Sequence, residues 1–434
     1  MKFTKMSLVA ALLVGSSAFA LDNVKMSGDA SLFYYTQQNN TTTNGSGTGL
    51  FGKENSAADA GLNLNVSADL AKTSLVSISA GAGYTVLSSL GLENNLVSNV
   101  WGSSHGVTTG TGAGYKNGLG GAKVENASWM NEAWIAATAG KSTVKIGRME
   151  LDTPMVFTEK WSIEKNTFEA AVLINQDIPD TTLVGAFVGN GNGTENFGQD
   201  INGTVIGNNL AVGPVVNQGG RFTTFGSNGA YAVAAINNSF KPLTVQAWYF
   251  SLQNLAQAYW LQADLNMEGV LVGGQYSSDK VKNGSKKSDS VYALMLGYNL
   301  KDIVTVKGAY SKVNKGGDLG YAGFNTATRK TTAQSKLYTE AYWNYGKVTK
   351  TDTASYMLSA EATVATVDLM AQYTSANDKS TANNDMKEFA LTAGKSFGPL
   401  DTTLAYVYSD NKTPTVTTDK EKISSIQAYL TLNF

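Results

Sequence analysis

Cysteine, histidine and proline are scarce in this chain: among 434 residues there are no cysteines, one histidine and six prolines. The lack of cysteine excludes a disulfide framework and every site that needs a thiolate. The single histidine, His105, stands in a stretch rich in glycine, serine and threonine, and no nucleophile motif surrounds it. One histidine without cysteines is also a poor ligand set for a transition metal. We therefore expect no enzymatic activity.

Long apolar runs are missing as well. The apolar run at residues 6–14 follows Lys2 and Lys5 and precedes small residues typical of a cleavage site. This pattern predicts a secretory signal peptide over residues 1–20 and a mature chain over residues 21–434. An uncleaved anchor is the alternative, but the run is shorter than the roughly 20 residues that a membrane helix needs. A membrane location would therefore require a closed barrel.

The charge is almost balanced, with 33 basic and 34 acidic residues over the whole chain. Loss of Lys2 and Lys5 with the signal peptide would leave the mature chain slightly acidic. A nucleic-acid-binding surface would need a basic stripe, and the sequence has none. We therefore expect no nucleic acid partner.

What the chain does contain is glycine, aromatic residues and strict alternation. There are 45 glycines, 20 tyrosines and 16 phenylalanines, a composition that favours strands and turns. Apolar residues occupy every second position over residues 62–68, 292–298 and 358–364, for example. Such alternation gives each strand one apolar and one polar face, as in a transmembrane barrel with an aqueous lumen.

The connections between these segments are alternately short and long, which is the asymmetry of membrane barrels. The pattern accommodates about eighteen strands, and sixteen is the alternative. Residues 336–345 also alternate, but they fit an even count only if they lie inside a long loop, where we place them. The sequence thus predicts an all-β fold, one antiparallel transmembrane β-barrel, wide enough for an open channel.

The last strand ends on an aromatic residue. Leu430, Leu432 and Phe434 share one face, and polar residues alternate with them. This tail resembles the assembly signal of bacterial outer-membrane barrels, which implies recognition by the barrel assembly machinery. In a closed barrel the same strand must pair with the first one.

One stretch resembles a known family. Residues 145–154 read KIGRMELDTP, and TFEAA follows at residues 167–171. The stretch from residue 145 to residue 190 resembles the major outer-membrane porins of Campylobacter and related bacteria, which are similar to the OprD-type channels. The resemblance implies an 18-stranded barrel, commonly a homotrimer, whose third external loop folds inward and constricts the pore. In this chain that loop is residues 151–165.

The composition of this loop suggests how it could act. It carries charges of both signs, which would create a transverse field across solutes in a narrow pore. The alternative is a solvated external loop whose charges have no role. The predicted constriction residues on the loop are Asp152, Glu159, Lys160, Glu164 and Lys165.

Arg148, just before the loop, is a further candidate. It shares the parity of Val144 and Ile146, so simple alternation would point it into lipid, at a cost of roughly 2 to 4 kcal/mol at the midplane. A bulge at Gly147, or a position above the apolar band, would turn it into the lumen, which is the prediction we adopt. Further predicted lumen residues are Glu132, Lys145, Glu169, Lys307 and Glu361.

These features favour an outer-membrane porin, exported through the periplasm, for passive diffusion of small hydrophilic solutes and ions. No cofactor is expected, although Glu150, Asp152 and Glu159 offer oxygen ligands that calcium could use. The expected partners are solutes, ions, outer-membrane lipids and further copies of the chain. The alternative is a surface adhesin or structural barrel that acts through its long loops, chiefly residues 87–125 and 191–228.

Overall fold

The structure is a computed structural model, and its eighteen long strands form one antiparallel sheet that closes into a barrel. It describes residues 22–39, 50–51, 56–88, 90, 99–100, 107–108, 124–125, 127–161, 163–192, 220, 222–225, 228–254, 256–282, 287–301, 303–316, 334–380, 384–412 and 421–434. The strand count of eighteen is confirmed, and the alternative of sixteen is excluded.

The strands of the barrel wall are numbered here in chain order. The first six are β1 (Asp22–Asn39), β2 (Ser56–Lys72), β3 (Val76–Leu87), β4 (Ala127–Ala139), β5 (Ser142–Met149) and β6 (Phe168–Asn175). The next six are β7 (Thr181–Gly191), β8 (Ala230–Asn237), β9 (Leu243–Leu252), β10 (Ala256–Met267), β11 (Val270–Val281) and β12 (Asp289–Leu300). The last six are β13 (Val304–Val313), β14 (Thr353–Val364), β15 (Val367–Asp378), β16 (Met386–Phe397), β17 (Leu400–Asn411) and β18 (Glu421–Asn433).

Each strand pairs with its neighbours in sequence, and the last strand closes the ring. β18 pairs antiparallel with β1, with Asn433 opposite Asp29 and Ile423 opposite Asn39. The backbones of Gly28 and Phe434 exchange two hydrogen bonds of 2.7 and 2.9 Å at this seam. The predicted pairing of the terminal strand with the first strand is therefore confirmed.

The two ends of the barrel differ. At one end, which we call the turn end, tight turns join β2 to β3, β4 to β5 and the following pairs; Gly140, Gly269 and Gly398 adopt positive φ there. At the other end, the loop end, long connections join β1 to β2, β3 to β4, β5 to β6, β7 to β8 and β13 to β14. The alternation of short and long connections follows the sequence prediction.

The two faces of the wall have opposite character, as β12 illustrates. Leu294 and Leu296 are 58% and 67% exposed on the outer face, whereas Val291 and Ala293 are buried on the inner one. The outer face of ten consecutive strands, β8 to β17, also carries a band of aromatic rings, one ring on each strand. These rings are Tyr231, Tyr249, Tyr259, Tyr276, Tyr292, Tyr310, Tyr356, Tyr373, Phe389 and Tyr406.

Helix is almost absent from the described residues. A 3-10 turn at Lys347–Thr349 lies in the connection between β13 and β14. None of the helices in the described ranges is long and apolar enough to span a membrane.

Candidate functional site

The third loop, residues 151–165, folds on itself in two tight turns. The backbone N–H of Thr158 donates to the carbonyl of Leu151 at 2.7 Å, which closes the first turn. The second turn brings Lys160 opposite Lys165 in a two-residue antiparallel pair. Asn166 fixes the base of this turn, because its side-chain oxygen accepts from the Glu159 N–H at 2.7 Å. The loop therefore has a defined shape of its own.

One side of the loop packs against the first strands of the wall. Ile163 is 3% exposed and joins a buried cluster with Phe33, Leu87 and Trp129. Gly61 on β2 permits this approach, since a Cβ there would lie 2.6 Å from Oε1 of Glu164. Burial of an apolar side chain against the inner wall attaches the loop inside the barrel.

The other side of the loop reaches distant strands. Met155 and Val156 are fully or almost fully buried in a cluster that includes Trp260 of β10 and Phe168 of β6. The Met155 sulfur lies 4.0 Å from the Ser277 hydroxyl of β11. The loop thus extends from β5 and β6 across to the inner face of β11.

The charges of the loop meet at a cavity of about 550 Å³ between the loop and the inner faces of β1 and β2. Lys165 forms ion pairs with Glu150 and, at 3.7 Å, with Glu132. Burial alone would lower the pKa of Lys165, but these carboxylates outweigh it and the pKa is raised. The residues that line the cavity are Asp29, Asn63, Glu150, Leu151, Asp152, Thr158, Lys160, Ile163 and Lys165.

Two predicted constriction residues do not face this cavity. Glu159 is 2% exposed and Glu164 is 1% exposed. Neighbouring residues Glu164 and Lys165 point to opposite faces of the hairpin, and the Glu164 carboxylate lies beside Gly61 of β2. Both acids are predicted constriction residues, but the folding of the loop buries them, and they do not line the cavity.

Arg148 and Glu169 are also not in the lumen. β5 pairs with β6 in a continuous register that places Arg148 opposite Glu169 and Ile146 opposite Ala171. Because paired residues share a face, both charged residues lie on the outer face with Ile146, which is 53% exposed. Gly147 is distorted, with φ of 130°, but it doesn't shift this register. Arg148 and Glu169 form an ion pair at the loop end of the wall, with 2.9 Å between the Arg148 Nε and the Glu169 Oε1.

A second element lines the lumen, and its role was not predicted. Residues 335–346, which we call the inner segment, lie inside the connection between β13 and β14, as the strand count required. They form no strand with the wall. Instead, wall side chains from six different strands bind the segment by hydrogen bonds. These side chains are Asp264, Gln275, Ser311, Gln372, Glu388 and Asn411.

Glu388 on β16 makes the most extensive of these contacts. Its Oε1 accepts from the backbone N–H groups of Tyr342 and Trp343 at 2.7 and 3.1 Å. Its Oε2 accepts from the backbone and side-chain amides of Asn344 at 2.8 and 2.6 Å. Trp343 then stacks on Tyr35 of β1 with ring centroids 5.4 Å apart. The segment is thereby held against both β16 and β1.

The other end of the segment binds β10 and β11. Gln275 donates to the carbonyl of Lys336 at 2.9 Å and accepts from the N–H of Tyr338 at 3.1 Å. The Tyr338 hydroxyl donates to Asp264 at 2.5 Å. Gly273 permits this approach, since a Cβ there would lie 2.5 Å from that hydroxyl.

Within the segment, Glu340 is an internal acceptor. Its carboxylate accepts from the N–H and hydroxyl of Ser335 and from the N–H groups of Ala341 and Gly346. Burial raises the pKa of Glu340 to about 7, although these hydrogen bonds favour the ionised form. The carboxyl group therefore titrates near neutral pH.

The third loop and the inner segment contact each other. Lys336 forms an ion pair with Asp152, whose side chain is 87% exposed. The Lys336 ammonium also lies 4.8 Å from the ring centroid of Phe157. Burial raises the pKa of the Tyr345 phenol, and the nearby carboxylate of Glu159 raises it further. The two elements thus meet inside the wall.

The remaining predicted lumen residues lie on the inner face. Lys307 and Glu361 pair at 3.1 Å between β13 and β14, and the Lys145 ammonium lies 4.1 Å from the ring centroid of Trp134. Acids outnumber lysines at the inward positions of the described strands. The acids are Asp29, Asp69, Glu132, Asp264, Asp279, Asp289, Glu361, Asp368, Asp378, Glu388 and Asp401; the lysines are Lys25, Lys72, Lys145 and Lys307.

Some sequence predictions concern residues that the structure does not describe, or a metal site. Residues 1–20 and His105 lie outside the described residues, as do most of residues 87–125 and 191–228. Among the described residues, no three His, Cys, Asp or Glu side chains form a group that could hold a metal, the possible calcium ligands included.

Comparison with known proteins identifies the fold. No protein-family model matches the sequence, and no curated protein matches it either. Solved structures do match, with 11% identity: the Pseudomonas aeruginosa outer membrane protein OpdK (TM-score 0.64, 94% of this chain and 99% of that chain) and OccK9, or OpdG (0.66, 95% and 99%). OccK8, or OprE, from the same organism gives a TM-score of 0.66 over 95% and 98%. The chain shares their barrel fold.

Proposed function

We propose that this protein is an outer-membrane porin through which small hydrophilic solutes and ions diffuse passively, without a cofactor. The observation that carries the proposal is a closed barrel, apolar outside, whose inner face holds charged and polar residues around a cavity. The solved structures of the same fold are OprD-family porins. Export through the periplasm, with removal of residues 1–20, belongs to the same proposal.

The third loop and the inner segment together form the constriction of this channel. Asp152, Lys160 and Lys165 on the loop and Lys336 on the segment are its charged groups. Their support is the cavity beside the loop and the ion pair that joins the two elements. Opposite charges at close range in a narrow path create a transverse field that acts on dipolar solutes.

The lumen as a whole prefers cations. Its wall carries more acids than lysines, and the acids near the turn end, such as Asp368 and Asp401, are exposed. An acidic surface raises the local concentration of cations and lowers that of anions. The preference is moderate, because lysines stand at the constriction.

Planar lipid bilayers provide the test. Purified, folded protein should give stepwise increases in current, and a salt gradient should give a reversal potential of the sign expected for cations. Folded protein that gives no steps would contradict the channel, whereas anion preference would contradict the charge assignment alone.

The porin also assembles as a homotrimer. The outer face of β4 to β6 supports this, because the aromatic band of β8 to β17 does not extend to it and it carries Met130, Arg148 and Glu169 instead. An aromatic band marks contact with lipid headgroups, so its absence favours contact between copies. Mass measurement of the protein in detergent should give three chains, and a single chain would contradict the proposal.

A further inference from the structure

The outer face of the wall carries an apolar groove of about 570 Å³ across β12 to β16. Its floor consists of the small residues Gly308, Ala360 and Ala371. Larger side chains of the outer face stand around this floor, and they are Leu296, Tyr298, Leu358, Tyr373 and Phe389. The groove lies within the size range of ligand pockets, and its lining favours a hydrocarbon chain.

The edge of this groove nearest the loop end has a different character. Register pairing aligns the five outer-face residues along the edge, which are Leu294, Tyr310, Tyr356, Ser375 and Lys387. Lys387 is exposed and lies two residues from Phe389 on β16, about 7 Å along the strand. An ammonium group and hydroxyl-bearing side chains therefore border one end of an apolar groove.

Positive charge is in excess next to Lys387. Asp410 on β17 lies opposite Lys387 on one side and opposite Lys422 of β18 on the other, so two lysines share one aspartate. Two further acids at the loop end form ion pairs with lysines of their own, Asp352 with Lys312 and Asp385 with Lys412. The surplus of positive charge attracts an anionic group to this edge.

A second groove in the same wall provides a comparison. It measures about 540 Å³, crosses β8 to β12 and includes small residues such as Ala247 and Ala263. Its edge towards the loop end on β8 to β11 is one register row of neutral residues, Val233, Tyr249, Tyr259 and Ser278. The two grooves thus match in size and in small apolar residues, but they differ in the charge at the edge.

We infer that the groove on β12 to β16 is a binding site for a membrane lipid with an anionic phosphate headgroup. An acyl chain lies along Gly308, Ala360 and Ala371, and the phosphate lies at Lys387. The inference goes beyond the proposed porin function but rests on it, because that function places the outer face in a membrane. The groove is on the opposite side of the ring from β4 to β6, so the proposed trimer leaves it open to lipid.

The headgroup, more than the acyl chain, decides which lipid this site prefers. Lipid chains are as apolar as the groove, so the exchange of one chain for another inside a bilayer gains little free energy. A lysine near an anionic headgroup raises the affinity by about fivefold. We therefore expect a preference for anionic lipids over lipids that have the same chains and no net charge.

Native mass spectrometry of the folded protein in detergent tests the site. The probes are dimyristoyl phosphatidylglycerol, which is anionic, and dimyristoyl phosphatidylcholine, which has the same chains and no net charge. The first phosphatidylglycerol should bind at about fivefold lower concentration than the first phosphatidylcholine. Equal binding of the two lipids would overturn the inference. Displacement of phosphatidylglycerol by an equal concentration of inorganic phosphate, which has no acyl chain, would also overturn it.

Two lysines on one face of β16 assign the position of the headgroup. In Lys387→Gln the preference for phosphatidylglycerol should disappear. Lys395→Gln is the matched control, because Lys395 shares this face but stands beside Phe397 at the turn end of the strand. It should leave the preference unchanged. A preference that survives in Lys387→Gln would contradict the assignment.

The same substitution in each of the two grooves assigns the position of the acyl chain. Ala360→Leu should fill the groove on β12 to β16 and raise the concentration needed for both lipids severalfold, without changing their ratio. Ala247→Leu in the second groove should leave both concentrations unchanged. If Ala360→Leu instead changed the number of chains in the oligomer and not lipid binding, the groove would be a contact between copies and the inference would fail.

The lipid site and the porin can fail separately. Stepwise current together with equal binding of the two lipids would refute the lipid site and leave the porin intact. Absence of current steps from folded protein would refute the porin itself. The comparison of the two lipids on the unmodified protein decides the inference even if a variant fails to fold.

Discussion

The third loop and the inner segment line the same lumen, but the wall holds them by different forces. The loop closes its own turns and buries Met155 and Ile163 among apolar side chains. The segment also buries Leu337 and Ala341, and in addition it is held by polar side chains that six wall strands supply, with Glu388 foremost. Apolar burial is tolerant of small shifts, whereas a buried carboxylate with four donors requires every partner to be in place.

The contrast suggests that the two elements respond differently to mutation and to pH. Loss of one polar anchor should release the inner segment, because the amides it leaves behind are buried without acceptors. Loss of one apolar contact should weaken the third loop without releasing it. The following predictions test this difference, beginning with the largest expected effect.

Replacement of Glu388 by alanine should release the inner segment. Three backbone N–H groups and the Asn344 amide would lose their acceptor, at a cost of roughly 1 to 3 kcal/mol for each donor left buried and unsatisfied. Amide hydrogen exchange at Tyr342 and Asn344 should accelerate by more than a hundredfold, and the open-channel conductance should rise. Glu361→Ala is the control, since Glu361 is an inward acid that contacts Lys307 and not the segment. Unchanged exchange at these amides would show that Glu388 is not the anchor.

The attachment of the inner segment should depend on pH through Glu340. Burial raises its pKa from 4.5 to about 7, so the packed segment retains a proton that the released segment loses. Attachment should therefore be strongest below pH 4.5, weaken by roughly 3 kcal/mol as the pH rises to about 7, and stay constant above it. Hydrogen exchange of the segment, corrected for the intrinsic rate, measures this profile.

The profile should be shallower in Glu340→Gln, which removes the titrating group at position 340 and leaves the Glu388 carboxylate, which also binds the segment. Exchange from the third loop is the internal control and should not follow the same curve. A segment that becomes more protected between pH 5 and 7 would have the opposite sign and would contradict the assignment to Glu340.

Truncation of Ile163 to alanine should weaken the third loop by about 2 kcal/mol, from lost burial and the cavity left behind. The loop should stay in the barrel, so the conductance should change less than in Glu388→Ala. Thermal or denaturant unfolding gives the loss of stability, and Ile303→Ala, at a side chain that is 63% exposed, is the control. A conductance change larger than that of Glu388→Ala would reverse the comparison.

The smallest effect is expected at the ion pair that joins the two elements. Asp152 is 87% exposed, so its coupling to Lys336 should be under about 1 kcal/mol in a double-mutant cycle. The effect on ion selectivity should be easier to detect. Asp152→Asn should shift the reversal potential towards anions and Lys336→Gln towards cations, and the double variant should lie between them. Shifts of the same sign would exclude a shared position in the ion path.

The fold was accessible from the sequence because its signals are local. Alternation identified segments such as residues 292–298, and the pattern along the chain accommodated about eighteen strands, with sixteen as the alternative; the structure has eighteen. Residues 336–345 alternate like a strand, and only the even count placed them in a loop. The structure agrees with that placement.

The candidate site was predicted less well, for reasons that are physical. Charge identifies a polar loop but does not say which of its charges becomes buried, so Glu159 and Glu164 were assigned to the pore. The face of Arg148 depended on whether Gly147 shifts the register, which only the pairing with β6 decides. The anchors of the inner segment, such as Glu388, are distant in sequence, and no local pattern links them to it.

Labelling at an introduced cysteine tests most directly whether the third loop lies in the path of the current. The chain has no cysteine, so Lys160→Cys provides a single reactive thiol. Reaction with a charged thiol reagent during a bilayer recording should lower the single-channel conductance, and the same reagent at Leu294→Cys, on the outer face, should not. Complete labelling at position 160 with unchanged conductance would contradict a channel constricted by the third loop.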